Sequence, residues 1–263
     1  MICQTLHFES PYTTLKVNVH YRNEAHSMHS NSPAHPPSPV QSNKSDHTLQ
    51  RATRDFLLWV RQTAKFSATK RLIWVQNSPE RESVGAHSYQ LCMAAWYVCN
   101  RYLPHLDLLT VLKLCLVHDT PEYKHGDTPA FLGRFGEFDA LPTHDTKAVR
   151  EASAVVCLVR LWRRRFADFV ACLLSYELRD TEEKRLVYSL DKLLANVNVY
   201  LDNGYTDKRL GLTIEQVEEY KRDKIAEHPL VLALHDEIVA YVRTCRPDLQ
   251  YFEGDAKAAP RGA

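Results

Sequence analysis

The stretch Leu108-Leu109-Thr110-Val111-Leu112-Lys113-Leu114-Cys115-Leu116-Val117 constrains this chain more than any other. It is apolar nearly all round, so a helix built from it has no side to give to water and belongs at the centre of a bundle. Asp107 precedes it as the N-cap. Other segments carry apolar residues at three- and four-residue steps. Leu49, Ala52, Phe56, Leu57, Val60 and Ala64 make one face of a helix beginning near Thr48. A second helix is read over about 84–102, with Tyr89, Met93, Trp96 and Tyr97 available to its buried face. Further helices fall at about 144–173, 181–202 and 213–243, the last opening on Thr213-Ile214-Glu215-Gln216, a capping box. No convincing period-two strand is found. Eight Gly in 263 residues, under half the usual share near ~7 %, disfavour a fold of many tight turns. The expectation is an all-α helical bundle.

Three regions follow from composition. Residues 1–47 hold six of the thirteen His and the run Ser32-Pro33-Ala34-His35-Pro36-Pro37-Ser38-Pro39. Such a segment cannot bury enough apolar surface to offset the entropy of ordering, so it is read as a disordered tail, its irregular His spacing favouring this over a metal-binding tract. Residues 48–245 form the helical domain, and 246–263 a flexible tail.

Charge and cysteine content exclude several classes. With 33 basic and 32 acidic side chains, the chain lacks the basic excess of a nucleic-acid binder. No apolar run reaches the ~18–20 residues of a membrane span. Met1 to Ser10 lacks the basic region and apolar core of a secretory signal. The seven Cys form no C-x-x-C pair and lie mainly in apolar helical stretches, which suits reduced thiols and a cytoplasmic location. Arg163-Arg164-Arg165 reads as the exposed face of an amphipathic helix.

The chemistry concentrates at Leu116-Val117-His118-Asp119-Thr120-Pro121-Glu122, the end of the most buried helix. An imidazole beside a carboxylate is costly there unless something such as a divalent ion compensates. Both can face one ion only if the helix stops, and Pro121 demands a break at Thr120, which would cap a new turn. The dipeptide alone is weak: His144-Asp145 reads as a helix-start cap, and His235-Asp236 as part of a solvated helix face. Asp191, in the apolar Leu186–Ala195 segment, is again an odd place for an unpaired charge.

Taken together, Glu82-Ser83-Val84 leading to His87-Ser88, then His118-Asp119, Glu122, Gly126-Asp127 and Asp191, resemble the HD-domain metal-dependent phosphohydrolases over roughly residues 50–205. Within them the chain is most similar to the bacterial 5'-deoxynucleotidase branch and its eukaryotic relatives. The resemblance implies an all-α bundle with His87, His118, Asp119 and Asp191 as ligands of one divalent ion. Glu122 and Asp127 match the pair that positions the attacking water and handles protons. Two imidazoles and two carboxylates accept Zn, Mn, Co or Fe without choosing among them, and Mg is left open. Trp74 corresponds to the family's sugar-packing Trp. Arg71 departs from the adjacent Arg-Trp of the bacterial form, and Lys124 is a further candidate for phosphate. The implied reaction is hydrolysis of (deoxy)nucleoside 5'-monophosphates. Two alternatives stay open: a deoxynucleoside triphosphate triphosphohydrolase, and a non-catalytic nucleotide-binding or regulatory protein. The first asks for more cations than Lys124, Lys192, Arg71 and Arg81 supply. The expected partner is a small nucleotide, with no nucleic acid and no membrane, and the family commonly forms homodimers.

Overall fold

The central helix forms as expected. α3 runs Leu108–Val117, and the Asp107 carboxylate accepts from the Leu109 amide at 3.1 Å. The structure, a computed structural model, describes residues 5–10, 13–18, 44–75, 78–124, 144–201, 204–210 and 213–245. The chain divides into two units, Met1–His47 and Thr48–Ala263.

In the first unit, β1 (Thr5–Ser10) and β2 (Thr13–Asn18) pair antiparallel, with Leu6 opposite Val17 and Phe8 opposite Leu15. This corrects the expectation of no strands. Leu6 and Phe8 alternate with polar neighbours, as do Leu15 and Val17, which is the period of two that a strand needs. The Pro-rich run and residues 246–263 lie outside the described residues.

α1 (Lys44–Ala68) starts four residues before the second unit and there leads into a small antiparallel pair, β3 (Lys70–Trp74) and β4 (Arg81–Ser83). Then come α2 (Val84–Tyr102), α3, a 3-10 turn over Thr120–Lys124, α4 (His144–Trp162), α5 (Ala167–Tyr176), α6 (Glu182–Leu201), α7 (Tyr205–Leu210), α8 (Ile214–Ile225) and α9 (Pro229–Cys245). The 144–173 segment breaks at Arg163–Arg165, so this run is an exposed turn rather than a helix face. The 213–243 segment breaks where Pro229 takes the first position of α9, with no amide to donate. The Thr213–Gln216 capping box is present.

Two apolar clusters flank α3. Leu91, Ala95 and Val98 of α2 meet Val111, Leu114 and Cys115 of α3, Leu186, Leu190 and Leu194 of α6, and Val231 of α9. Phe66 of α1, Leu158 and Trp162 of α4, and Phe169 and Leu173 of α5 gather around Val117. The end of α3 therefore projects from between two cores. α3 is not enclosed on all sides, since Leu109 and Leu116 are exposed.

Two expected faces are reversed. On α1 the buried residues are Gln62 and Phe66, with Trp59 half-buried, whereas Leu49, Phe56, Leu57 and Val60 are exposed. The aromatic side decides this, because Trp59 meets Trp162, Phe166 and Phe169 edge-on at 4.8, 5.0 and 4.9 Å. On α2, Tyr89, Met93, Trp96 and Tyr97 are exposed, and the buried stripe is Val84, His87, Ser88, Leu91, Ala95, Val98 and Cys99. Its small members allow close approach to α3 and α6. His235 also departs from expectation: it is 1 % exposed, continuing the Val231–His235–Val242 stripe of α9, and only Asp236 faces solvent, paired with Arg222.

Candidate metal centre

Each of four side chains arrives on a helix for a local reason. Ser83 caps α2 by accepting from the Ala86 amide at 3.1 Å, which sets the register that buries His87. The regular part of α3 ends at Val117, as Pro121 requires. The Thr120 hydroxyl donates back to the Val117 carbonyl at 2.8 Å rather than capping forward, and the Asp119 carbonyl accepts from the Glu122 amide. His118 and Asp119 are thereby freed to turn inward. Asp191 sits on the buried face of α6 beside Leu190 and Leu194.

The ligating atoms of His87, His118, Asp119 and Asp191 all lie within 4.8 Å of one another. His87 Nε2 is 2.9 Å from Asp191 Oδ1, and His118 Nε2 is 3.1 Å from Asp119 Oδ2 and 3.8 Å from Asp191 Oδ1. His118 Nδ1 donates to the Cys115 carbonyl at 2.8 Å. A carbonyl only accepts, so that nitrogen carries a proton and Nε2 is the ring atom turned toward the carboxylates, where its lone pair would serve an ion. Nε2 is buried and has no hydrogen-bond partner. An imidazole oriented by a backbone carbonyl, with its other nitrogen buried beside two carboxylates, is the donor arrangement of a metal ligand. The residues present fit a divalent ion.

Cations surround the cluster. Arg71 of β3 reaches Asp119 through Nη1, Glu82 through Nε at 3.4 Å and Asp191 through Nη2 at 4.0 Å. Lys192 Nζ lies 2.6 Å from the other Asp191 oxygen. Burial opposes ionisation of both aspartates, but His118 and Arg71 hold Asp119 well below the usual carboxylate range. Lys192, with hydrogen bonding from His87, does the same for Asp191. Both carboxylates are thus kept in the anionic, ligating form. For His118 burial disfavours the proton, yet Asp119 and Asp191 more than offset this in the metal-free protein.

A third carboxylate, Glu82, stands beside the cluster. Its carboxyl is buried, which raises its pKa against the opposing effect of His87 and Arg71. It stands 3.8 Å from His87 Nδ1 and accepts from Asn198 at 3.4 Å. Its presence beside His87 could be read from sequence only as a neighbour in the chain.

The other candidate residues are spread further. Glu122 is half-buried on the 3-10 turn, three residues past Asp119, with Oε2 shielded from solvent. The Lys124 ammonium lies against Ser153 and Cys157 of α4, at 3.5 and 3.4 Å, rather than at the cluster. Trp74 is half-buried between the Arg81 guanidinium, 5.2 Å from its ring, and Tyr205, edge-on at 6.0 Å. Its amide donates to Thr206 Oγ1 at 3.3 Å, docking α7 on β3. Asp127 lies outside the described residues.

Residues 63–232 match the HD domain family. The chain belongs to that family. A crystal structure of a predicted metal-dependent phosphohydrolase from Magnetospirillum magnetotacticum MS-1 shares the fold, with a TM-score of 0.58 and 22 % identity. The similarity covers 80 % of this chain and 99 % of that one. No curated protein matches. Among the described residues no helix is long and apolar enough to cross a membrane. This HD domain supplies the four-residue cluster from α2, from the end of α3 and from α6.

Proposed function

We propose that this HD-domain protein is a metal-dependent phosphohydrolase that converts (deoxy)nucleoside 5'-monophosphates to nucleoside and phosphate. The observation carrying this reading is the convergence of two buried imidazoles and two ionised carboxylates, with His118 Nε2 facing Asp119 and Asp191 at 3.1 and 3.8 Å. His87, His118, Asp119 and Asp191 would hold the ion. When bound, a divalent ion brings the pKa of its water toward neutrality and polarises a phosphoryl oxygen.

The remaining steps belong to the protein's own groups. Arg71, its fork spread over three carboxylates, and Lys192, anchored on Asp191, present positive charge where a phosphate would approach. Glu122 orients the attacking water and takes its proton. Asp127 delivers a proton to the leaving 5'-oxygen. Trp74, flanked by Tyr205, packs on the sugar. Among the described residues Arg71 and Lys192 are the cations paired with the cluster's carboxylates, fewer than three phosphates would ask for, which supports a monophosphate over a triphosphate.

The test is phosphate release from ribo- and deoxynucleoside mono- and triphosphates by metal-stripped protein resupplied separately with Mn, Co, Zn or Mg. Orthophosphate from deoxy monophosphates, abolished in Asp119→Ala, is the expected result. Tripolyphosphate from a triphosphate would transfer the assignment to triphosphohydrolase chemistry. No release from folded, metal-loaded protein would leave a binding role.

A further inference from the structure

An imidazole that ligates through one nitrogen needs a hydrogen-bond partner on the other to fix its orientation. For His118 the Cys115 carbonyl is that partner. His87 is 0 % exposed, so water does not reach its far side. Its Nε2 lies 2.9 Å from Asp191 Oδ1, and its Nδ1 lies 3.8 Å from Glu82 Oε2. Nδ1 and Oε2 are both buried and both without a hydrogen-bond partner. One can donate and the other accept. They stand less than ~1 Å beyond hydrogen-bond reach, and leaving both unpaired is costly in a buried site.

Glu82 is placed there by its strand. It is the middle residue of β4, whose alternation buries it and leaves Arg81 exposed. Ser83 then caps α2, so the Glu82 carboxylate stands at the foot of the helix that carries His87. Its Oε1 accepts from Asn198 Nδ2 at 3.4 Å. Asn198 is itself fixed, because the same Nδ2 donates to Gln90 Oε1 at 2.7 Å and its Oδ1 accepts from Gln90 Nε2 at 2.9 Å. Gln90 lies about one turn past His87 on α2, and Asn198 about two turns past Asp191 on α6. This amide clasp therefore joins the two helices that carry His87 and Asp191, and it holds Glu82 at the same point.

Neutralising Arg71 accounts poorly for Glu82. Arg71 Nε lies 3.4 Å from Glu82 Oε2, but its two other guanidinium nitrogens already meet Asp119 and Asp191. A third buried carboxylate adds a desolvation cost. What it supplies in return is an acceptor on the side of His87 that faces away from Asp191.

We propose that Glu82 is a positioning residue of the metal centre. Its Oε2 accepts from His87 Nδ1 and so fixes the imidazole with Nε2 turned into the cluster, while the Gln90–Asn198 clasp holds the carboxylate. The inference rests on the metal-centre reading above. Glu82 does for His87, through a side chain, what the Cys115 carbonyl does for His118.

The experiment is chelator competition for Co(II), using the full-length protein stripped of metal beforehand, with the visible absorption of the Co-loaded form as a report on ligand geometry. Glu82→Met keeps the side-chain length and loses the acceptor, whereas Glu82→Gln keeps an acceptor oxygen. Both remove the charge opposite Arg71, so the difference between them isolates the hydrogen bond. Glu82→Met is expected to bind Co(II) about 10- to 100-fold more weakly, with altered absorption. Glu82→Gln should recover most of the affinity and the parent's absorption. Equal weakening in both variants would show that Glu82 is only a counter-charge to Arg71 and would overturn the proposal, as would unchanged affinity in Glu82→Met. If Glu82→Met does not fold, proton NMR of the Zn-loaded protein decides. The His87 Nδ1 proton should resonate downfield, exchange slowly with solvent and shift in Glu82→Gln, and a proton indifferent to that substitution would overturn the proposal. A parent protein that binds no Co(II) would overturn the metal-centre reading as well. Parent binding with an indifferent Glu82→Met would overturn this inference alone.

Discussion

Asp191 meets His87 through one oxygen and Lys192 through the other, with its side chain 4 % exposed. In chelated protein that carboxylate also offsets the positive field of Arg71. Asp191→Ala leaves these cations without their buried counter-charge, and chelated protein should lose about 3–5 kcal/mol in denaturant melts. The pH dependence has a definite sign. Burial is outweighed by Lys192 and His87, so the folded pKa is depressed below the unfolded value near ~3.9. Its contribution is complete above that value and drains away as pH falls toward the folded one. Asp191→Asn should flatten the stability curve of chelated protein below about pH 4, measured by urea titration at each pH. The same residue shows what a sequence discloses: a carboxylate within Leu-Asp-Lys-Leu-Leu is conspicuous because nothing around it is polar enough to solvate it. Cys115 left no comparable trace. It orients His118 through a backbone carbonyl, which every residue possesses.

The elements were legible where one signal acted alone. Asp107 and the following apolar decapeptide give α3, and Pro121 gives its end. α1 and α2 each offer two apolar sides, and periodicity cannot say which faces inward. Trp59 decides the first through its aromatic neighbours, and close packing of Ala95 and Ser88 decides the second. α7 is six residues long, too short for a period to emerge, and it is placed by contacts to β3 more than 100 residues away. Gly85 marks another long-range fit. A Cβ there would lie 2.7 Å from Ser67 Cβ and 3.0 Å from Ser67 Cα. Backbone at that distance cannot rotate away, so Gly85→Ala should force the end of α1 off the start of α2. We expect a loss of about 1–3 kcal/mol in thermal or urea unfolding. Because α2 also carries His87, metal affinity should fall with it.

At the scale of the molecule, the two apolar clusters draw on α1 to α6, α8 and α9, and what α1 contributes comes from its C-terminal half, after His47. The Thr48–Ala263 unit should therefore fold without Met1–His47. Deleting those residues is expected to leave heat unfolding cooperative, with a midpoint within about 4 °C of the full chain, the shift that ~1 kcal/mol produces in a domain of this size. A larger loss would show that the β1–β2 hairpin supports the helical unit.

The centre also has a place in time. His87 and Asp191 are 104 positions apart, and the two histidines with Asp119 come before the long excursion through α4 and α5. A chain emerging from the ribosome therefore exposes three of the four donors well before the fourth. Closing so wide a loop is slow, and α6 must dock before Asp191 can reach the others. An ion that meets the unfinished chain finds an incomplete donor set and leaves readily. Metallation is thus deferred until α6 has docked, and occupancy of the centre certifies that α2, α3 and α6 have come together.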